Sequence, residues 1–202
     1  MERIKDCFMG VLSCKKYEHR RHSQVMDENI FEYKYFVGNP NNEEPIMNGN
    51  IVTLPCGDNY EDLPLKTKLM LKWIIENKPE VNYILKTDDD IVFNFEKLYE
   101  NYSYVKLKNL DYSGNVIKTF GYNSDYHFGK CDSDINNKTF FVEPSIYCSG
   151  GGYFLSKKSA EIIILTELGE DTIFEDHFVG KILNNKNIFP EHINLHNKSC
   201  FW

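Results

Sequence analysis

DLPLKTKLMLKWIIENKPEVNYILKTDDD, residues 62–90, decides the fold: a segment of helical period turns through Lys-Pro-Glu into an apolar run that ends on three carboxylates. Leu65, Leu69 and Trp73, with Met70 and Ile74, recur at i, i+4 spacing and predict a helix with one apolar stripe. Asp62 is placed to cap that helix, and Pro64 suits its first turn, where a missing N–H leaves nothing unpaired. Lys66, Lys68 and Lys72 are expected mostly on the other faces. VNYILKT, 81–87, then reads as a strand. Working outward, CFMGVLS (7–13) is a compact apolar run of strand length, and KKYEHRRHSQVMDEN (15–29) can be helical. YKYFVGN (33–39) and NIVTLPC (50–56) read as short strands separated by the turn-rich NPNNEEPIMNGN. The order β-helix-β-β-helix-β predicts an open α/β sheet with parallel strands.

A chain of 202 residues, 42% hydrophobic and 14% aromatic, is long enough to bury one substantial core and is expected to form a single domain over 1–202. Its net charge of −7 argues against nucleic acid, whose binders need a basic surface to displace counterions. Any anionic ligand must then be held by a metal or by a few placed Arg and Lys. No apolar run approaches the roughly 20 residues that span a bilayer, and MERIKDCFMGVLS is too short and acidic for a signal peptide. The expectation is a soluble chain without membrane anchor, in the cytoplasm. Six cysteines show no CxxC pairing, which argues against a zinc ribbon; free thiols and one or two bridges both remain open. Sequons at Asn101, Asn137 and Asn197 are weak evidence for secretion in so Asn-rich a chain.

In open α/β sheets ligands bind beyond the carboxyl ends of the strands, where Asp88, Asp89 and Asp90 would project. Adjacent carboxylates repel, so something positive should sit among them. On an extended segment Asp88 and Asp90 point to one side and could face a single Mg²⁺ or Mn²⁺ that also bridges a diphosphate. The plainer alternative is an acidic turn capping the next helix. YCSGGGYFLS, 147–156, sets three glycines between strand formers, which suits either a β-bulge or close backbone approach to a ligand. SKKSAEIIILTELG, 156–169, reads as a helix capped by Ser156 with Gly169 near its C′ position. In DTIFEDHFVGKILNN, 171–185, Phe178, Val179, Ile182 and Leu183 form a buried face, leaving Glu175 and Asp176 in the first turn. Acids there are ordinary helix-start chemistry, or a general base facing the metal site.

LKTKLMLKWIIE (65–76), YILKTDDDIVFN (83–94), YCSGGGYFLS (147–156) and EDHFVG (175–180), in this order, resemble the beta-1,3-galactosyltransferase family, glycosyltransferase family 31, with the beta-1,3-N-acetylglucosaminyltransferases and, more distantly, Fringe. Arg20–Arg21 and FVGN (36–39) add weaker support. The resemblance implies a GT-A type fold, a Rossmann-like open mixed sheet flanked by helices. It implies inverting, metal-dependent transfer of a hexose, galactose or N-acetylglucosamine, from a UDP-sugar donor to a hydroxyl of a glycan or glycoprotein acceptor, in a beta-1,3 linkage. By the same resemblance Asp90 is the main Mn²⁺ ligand, with Asp88 and Asp89 nearby on ribose, phosphate or metal-bound water. Asp176 matches the base, with Glu175 as the alternative. Ser149, Gly150, Gly151 and Gly152 line the cleft, and Lys86, Arg20 and Arg21 join the donor contacts. A C-terminal His ligates the metal in some relatives, for which His192 and His196 are candidates.

The chain departs from the family in lacking a Trp after its early arginines and in short loops, which leaves the acceptor site undefined. Anchored members of the family make the Golgi lumen the alternative location. Two other classes compete: a sugar-nucleotide-binding or lectin-like module that has lost turnover, against which Asp90 and Asp176 speak, and a metal-dependent phosphoryl-transfer enzyme, for which no P-loop is present.

Overall fold

A computed structural model describes residues 2–24, 26–131, 134–169, 172–195 and 198–199. Eight strands form one sheet in the order β11-β7-β10-β5-β1-β2-β4-β3. They are β1 (Ile4–Leu12), β2 (Phe31–Gly38), β3 (Ile46–Asn48), β4 (Ile51–Leu54), β5 (Tyr83–Asp88), β7 (Tyr112–Thr119), β10 (Ser145–Ser156) and β11 (Glu191–His192). β1, β2, β4 and β5 pair in parallel, as the strand order predicts. β10 runs antiparallel to both β5 and β7, and β3 antiparallel to β4, so the sheet is mixed. The strand β3 arises inside the stretch expected to be all turn.

The helices are α1 (Glu18–Ser23), α2 (Leu63–Asn77), α3 (Phe95–Lys108), α4 (Lys157–Leu165) and α5 (Glu175–Asn184). They cover both faces. Met70, Leu71 and Ile74 of α2, Ala160 and Ile163 of α4, and Val179 and Leu183 of α5 close over one face with Phe8 and Ile84. Leu98, Tyr102 and Val105 of α3 pack the other, against Tyr83 and Leu85. Strand alternation divides β5 in this way: Ile84 and Lys86 look toward α5, Tyr83 and Leu85 toward α3. Among the described residues no helix is long and apolar enough to cross a membrane. Among the described residues Cys7, Cys14, Cys56 and Cys148 are free thiols.

Several local expectations shift. The first helix is only α1, preceded by a 3-10 turn at Lys15–Tyr17. The buried face of α2 is Lys66, Thr67, Met70, Leu71, Trp73 and Ile74, while Leu65 is exposed, so the stripe is rotated from the one predicted. Asp62 makes no side-chain cap on α2; its carboxylate instead accepts from Asn59 N, in a capping box on the preceding 3-10 turn. Ser156 does cap α4 through Ser159 N, but the helix stops at Leu165, well before Gly169.

Between β7 and β10 the chain forms an arm. Pairing of β10 with β5 ends at Gly152 opposite Thr87, yet its pairing with β7 continues to Ser145 opposite Thr119. The arm carries the hairpin β8 (Tyr122–Ser124) and β9 (Phe140–Val142) and is moored to α5. His177 Nε2 meets Glu143 O at 2.9 Å, and the Asn184 side chain holds both Ile146 N and Ile146 O. Gly180 explains the close seating: a Cβ there would lie 2.2 Å from Tyr147 Cβ, so only glycine lets α5 lie flush on β10. Two short strands, β6 (Ile91–Val92) and β12 (Lys198–Ser199), pair antiparallel just beyond the acidic triplet.

Candidate active site

The triplet sits at the carboxyl end of β5, as expected for an α/β sheet. Its three carboxylates take three different partners. Asp88 Oδ1 lies 2.9 Å from Lys86 Nζ, two residues back on the same strand face. Asp89, buried, accepts from Ser13 Oγ at 2.6 Å and lies 3.6 Å from Arg20. Asp90 lies 3.4 Å from the same guanidinium. The strand ends at Asp88, so the alternation that would set Asp88 and Asp90 on one side stops there. Gln24 Nε2 clamps the turn by donating to Asp88 O and Ile91 O, at 3.2 and 2.9 Å. The positive charge that the repelling carboxylates require is thus Arg20 together with Lys86. Arg21 instead braces the loop below, donating to Ser13 Oγ and Cys14 O.

Opposite the triplet, the glycine run carries a register shift between Cys148 and Tyr153, which is a bulge. The bulge turns Gly150 O to Lys86 Nζ at 2.7 Å and Gly151 O to Thr87 Oγ1 at 2.9 Å. It also brings Gly150 N to Asp176 Oδ2 at 3.1 Å. Ser149 and Gly151 are half-buried beside it, and Gly152 is buried.

The two acids of α5 differ. Glu175 is 6% exposed, with one oxygen 3.0 Å from Lys86 Nζ and the other accepting from Tyr153 OH. Asp176 is half-buried, with one oxygen on His177 N at 2.8 Å and the other on Gly150 N. Burial raises both above the ordinary carboxylate range; Lys86 opposes this in both. Burial also raises Asp89 and Asp90, with Arg20 opposing. For Lys86, burial alone would depress the ammonium, but Asp88 and Glu175 overcome it and hold the group charged.

Lys86, expected among the donor contacts, is 1% exposed and engaged by three protein acceptors. Glu175, the alternative base, is held between Lys86 and Tyr153. His192 is exposed at the sheet edge, three strands from β5, or about 14 Å at the usual spacing, with Nδ1 accepting from Val116 N. It is therefore remote from the triplet. His196 lies outside the described residues.

Among the described residues no group of three or more His, Cys, Asp or Glu is arranged to hold a metal ion. The donor chemistry nevertheless fits a hard divalent ion. Asp88 and Asp90 keep side chains 36% and 31% exposed. Mg²⁺-like ions are commonly held by one or two carboxylates, completed by phosphate oxygens and water.

Sequence reasoning missed Ser13, Gln24, Tyr153 and Tyr60. Burial and then the negative charge of Asp176 push the Tyr60 hydroxyl up, which marks it as a neighbour of that acid. The Lys130 ammonium of the arm lies over both the Tyr60 and Tyr126 rings, at 5.5 and 3.1 Å. None of these four sits in a recognisable spacing; only the fold gathers them.

The galactosyltransferase family model matches residues 39–194. UDP-GalNAc:beta-1,3-N-acetylgalactosaminyltransferase 1 of Rattus norvegicus is 31% identical over 163 residues, 76% of this chain and 47% of that protein. Its Homo sapiens counterpart is 30% identical over the same shares. Beta-1,3-galactosyltransferase 1 of Mus musculus is 28% identical over 144 residues, 66% of this chain and 41% of that protein. The chain spans about half the length of the curated relatives it matches. The triplet, the glycine bulge and the Glu175–Asp176 pair all fall inside the matched region, and Arg20 and Arg21 precede it. On that match the chain belongs to the galactosyltransferase family.

Proposed function

We propose that the chain is an inverting, divalent-metal-dependent hexosyltransferase of GT-A type, moving a sugar from a UDP donor to a glycan hydroxyl. The relatives' names support galactose or N-acetylgalactosamine as the sugar and a beta-1,3 linkage. The carrying observation is the division of labour between adjacent acids: Glu175 is sealed while Asp176 stays partly open, oriented by two backbone N–H groups. Inversion by single displacement needs one base on the acceptor side and no enzyme nucleophile. Asp176, ionised, takes the acceptor proton.

Asp90 and the free oxygen of Asp88 would hold Mn²⁺ or Mg²⁺. When bound, the ion supplies Lewis-acid stabilisation of the charge that grows on the departing UDP. Arg20 sits beside Asp89 and Asp90, where it orients the triplet and can answer diphosphate charge. Tyr60 neighbours Asp176 and would stand on the acceptor side of the site, with Lys130 and Tyr126 next to it.

The test is UDP release from a panel of UDP-sugars with Mn²⁺ or with EDTA, in the native protein and in Asp176→Asn. Manganese-dependent release from one donor, abolished in the variant, supports the reading and names the sugar. Donor binding without turnover under any acceptor would point to a binding module, and no donor binding would sink the site assignment.

A further inference from the structure

Lys86 Nζ touches three acceptors from three separate stretches: Asp88 Oδ1 at 2.9 Å in the acidic turn, Gly150 O at 2.7 Å in the bulge, and Glu175 Oε2 at 3.0 Å on α5. An ammonium has three donors and no acceptor, so three such contacts use it fully. It has nothing left to offer a ligand. One residue or two along from each contact stands a group that the proposed function needs: Asp90, Gly151 and Asp176. We infer that Lys86 is a positioning residue of the transfer reaction, its ammonium fixing the separation between the donor-side carboxylates and Asp176. This rests on the transferase reading for its purpose, though the tie itself is geometry.

The charge arithmetic favours more than neutralisation. One cation stands between two carboxylates, so the cluster keeps a surplus negative charge. Of those two, the Asp88 side chain is 36% exposed and the Glu175 side chain 5%, so the surplus faces outward at Asp88. A lysine needed only to balance Glu175 would not have to reach Asp88 or the bulge as well.

Two variants separate positioning from charge balance. Lys86→Met strands Glu175 as a buried, uncompensated carboxylate, and its melting midpoint should fall by roughly 10 °C. Lys86→Met combined with Glu175→Gln removes both buried charges, and the midpoint should recover to within about 3 °C of the native protein. A positioning role predicts that this double variant still loses about 10- to 100-fold in kcat/KM. It also predicts faster amide exchange in segments 147–153 and 172–180 at the restored midpoint. Recovery of both kcat/KM and native exchange would overturn the inference, leaving Lys86 as a counter-charge to Glu175 alone. If the double variant does not recover its midpoint, exchange in Lys86→Met below its own midpoint decides: selective loss in those two segments supports the tie, and uniform loss overturns it. If the native protein turns over no UDP-sugar, the transferase reading falls, and the exchange comparison still decides the positioning role in the same way.

Discussion

Two lysines are buried at the ligand end of this sheet, each 1% exposed, and they sit in opposite electrostatic company. Lys66 of α2 meets one carboxylate, Asp58, at 2.6 Å, and Ser13 O at 3.1 Å. That carboxylate also accepts from Gly38 N and Lys15 N, so the pair staples the ends of β1, β2 and α2. Lys86 of β5 stands between two carboxylates, beside two more in the triplet. Burying ions is costly, and a one-to-one pair with its remaining hydrogen bonds satisfied is the form that stability tolerates. An unbalanced cluster that is part-exposed at Asp88 is a cost that folding alone would not select. The contrast separates a charge-balanced end of the sheet, held at Lys66, from one at Lys86 where acids outnumber the cation.

The sharpest way to break this contrast lies at the Lys86 end. Asp176→Asn should lower kcat by about 10²- to 10⁴-fold while far-UV and near-UV circular dichroism stay native. Because burial raises Asp176, the acid limb of native activity should lie above the ordinary aspartate range, falling as pH drops through it. At the held end, Lys66→Met should cost about 3–5 kcal/mol, read from the urea midpoint at constant slope, because Asp58 is left without its cation. A loss below about 1 kcal/mol would erase the distinction between the two lysines.

Glu175→Gln sharpens the comparison through pH. The folded pKa of Glu175 lies above its ordinary 4.5, so its contribution to stability is complete below the unfolded value and is lost as pH rises through the folded one. The amide removes that loss. At pH 7 the variant should melt above the native protein, by about 2–4 °C for each kcal/mol gained, and the gap should close as pH falls through the raised pKa. A native protein that melts higher at pH 7 would mean that Lys86 and Tyr153 favour the ionised acid. Smallest of all, Ser156→Ala should cost about 1 kcal/mol by uncapping α4 and leave kcat/KM unchanged, since it lies in neither lysine cluster.

Much of the scaffold was legible because it depends on local pattern. The strands at 7–13, 33–39, 50–56 and 81–87 read correctly to within a few residues, and the apolar face of α5 was identified residue by residue. Reading failed where a polar residue is buried by a partner distant in sequence. The helical spacing sets Lys66 mostly off the apolar stripe, yet it is buried, because Asp58 meets its ammonium at 2.6 Å. Nor does any local pattern show that the Lys86 ammonium meets Glu175, 89 residues away. The antiparallel course of β10 carries no periodicity signal distinguishing it from a parallel strand, since both alternate alike.

The sequence by itself determined the alternation of strands and helices, the acidic end of β5, the glycine run and the acids that open α5, because period, turn chemistry and residue type are written in neighbouring positions. The tertiary structure alone decided which of those acids is open and which is sealed. Glu175 and Asp176 are chemically alike and adjacent, and their difference is made by Lys86, Tyr153 and Gly150 N, brought together through a mixed sheet and a helix that Gly180 seats flush upon it. Burial and partnership are properties of long-range packing, and no local pattern encodes them.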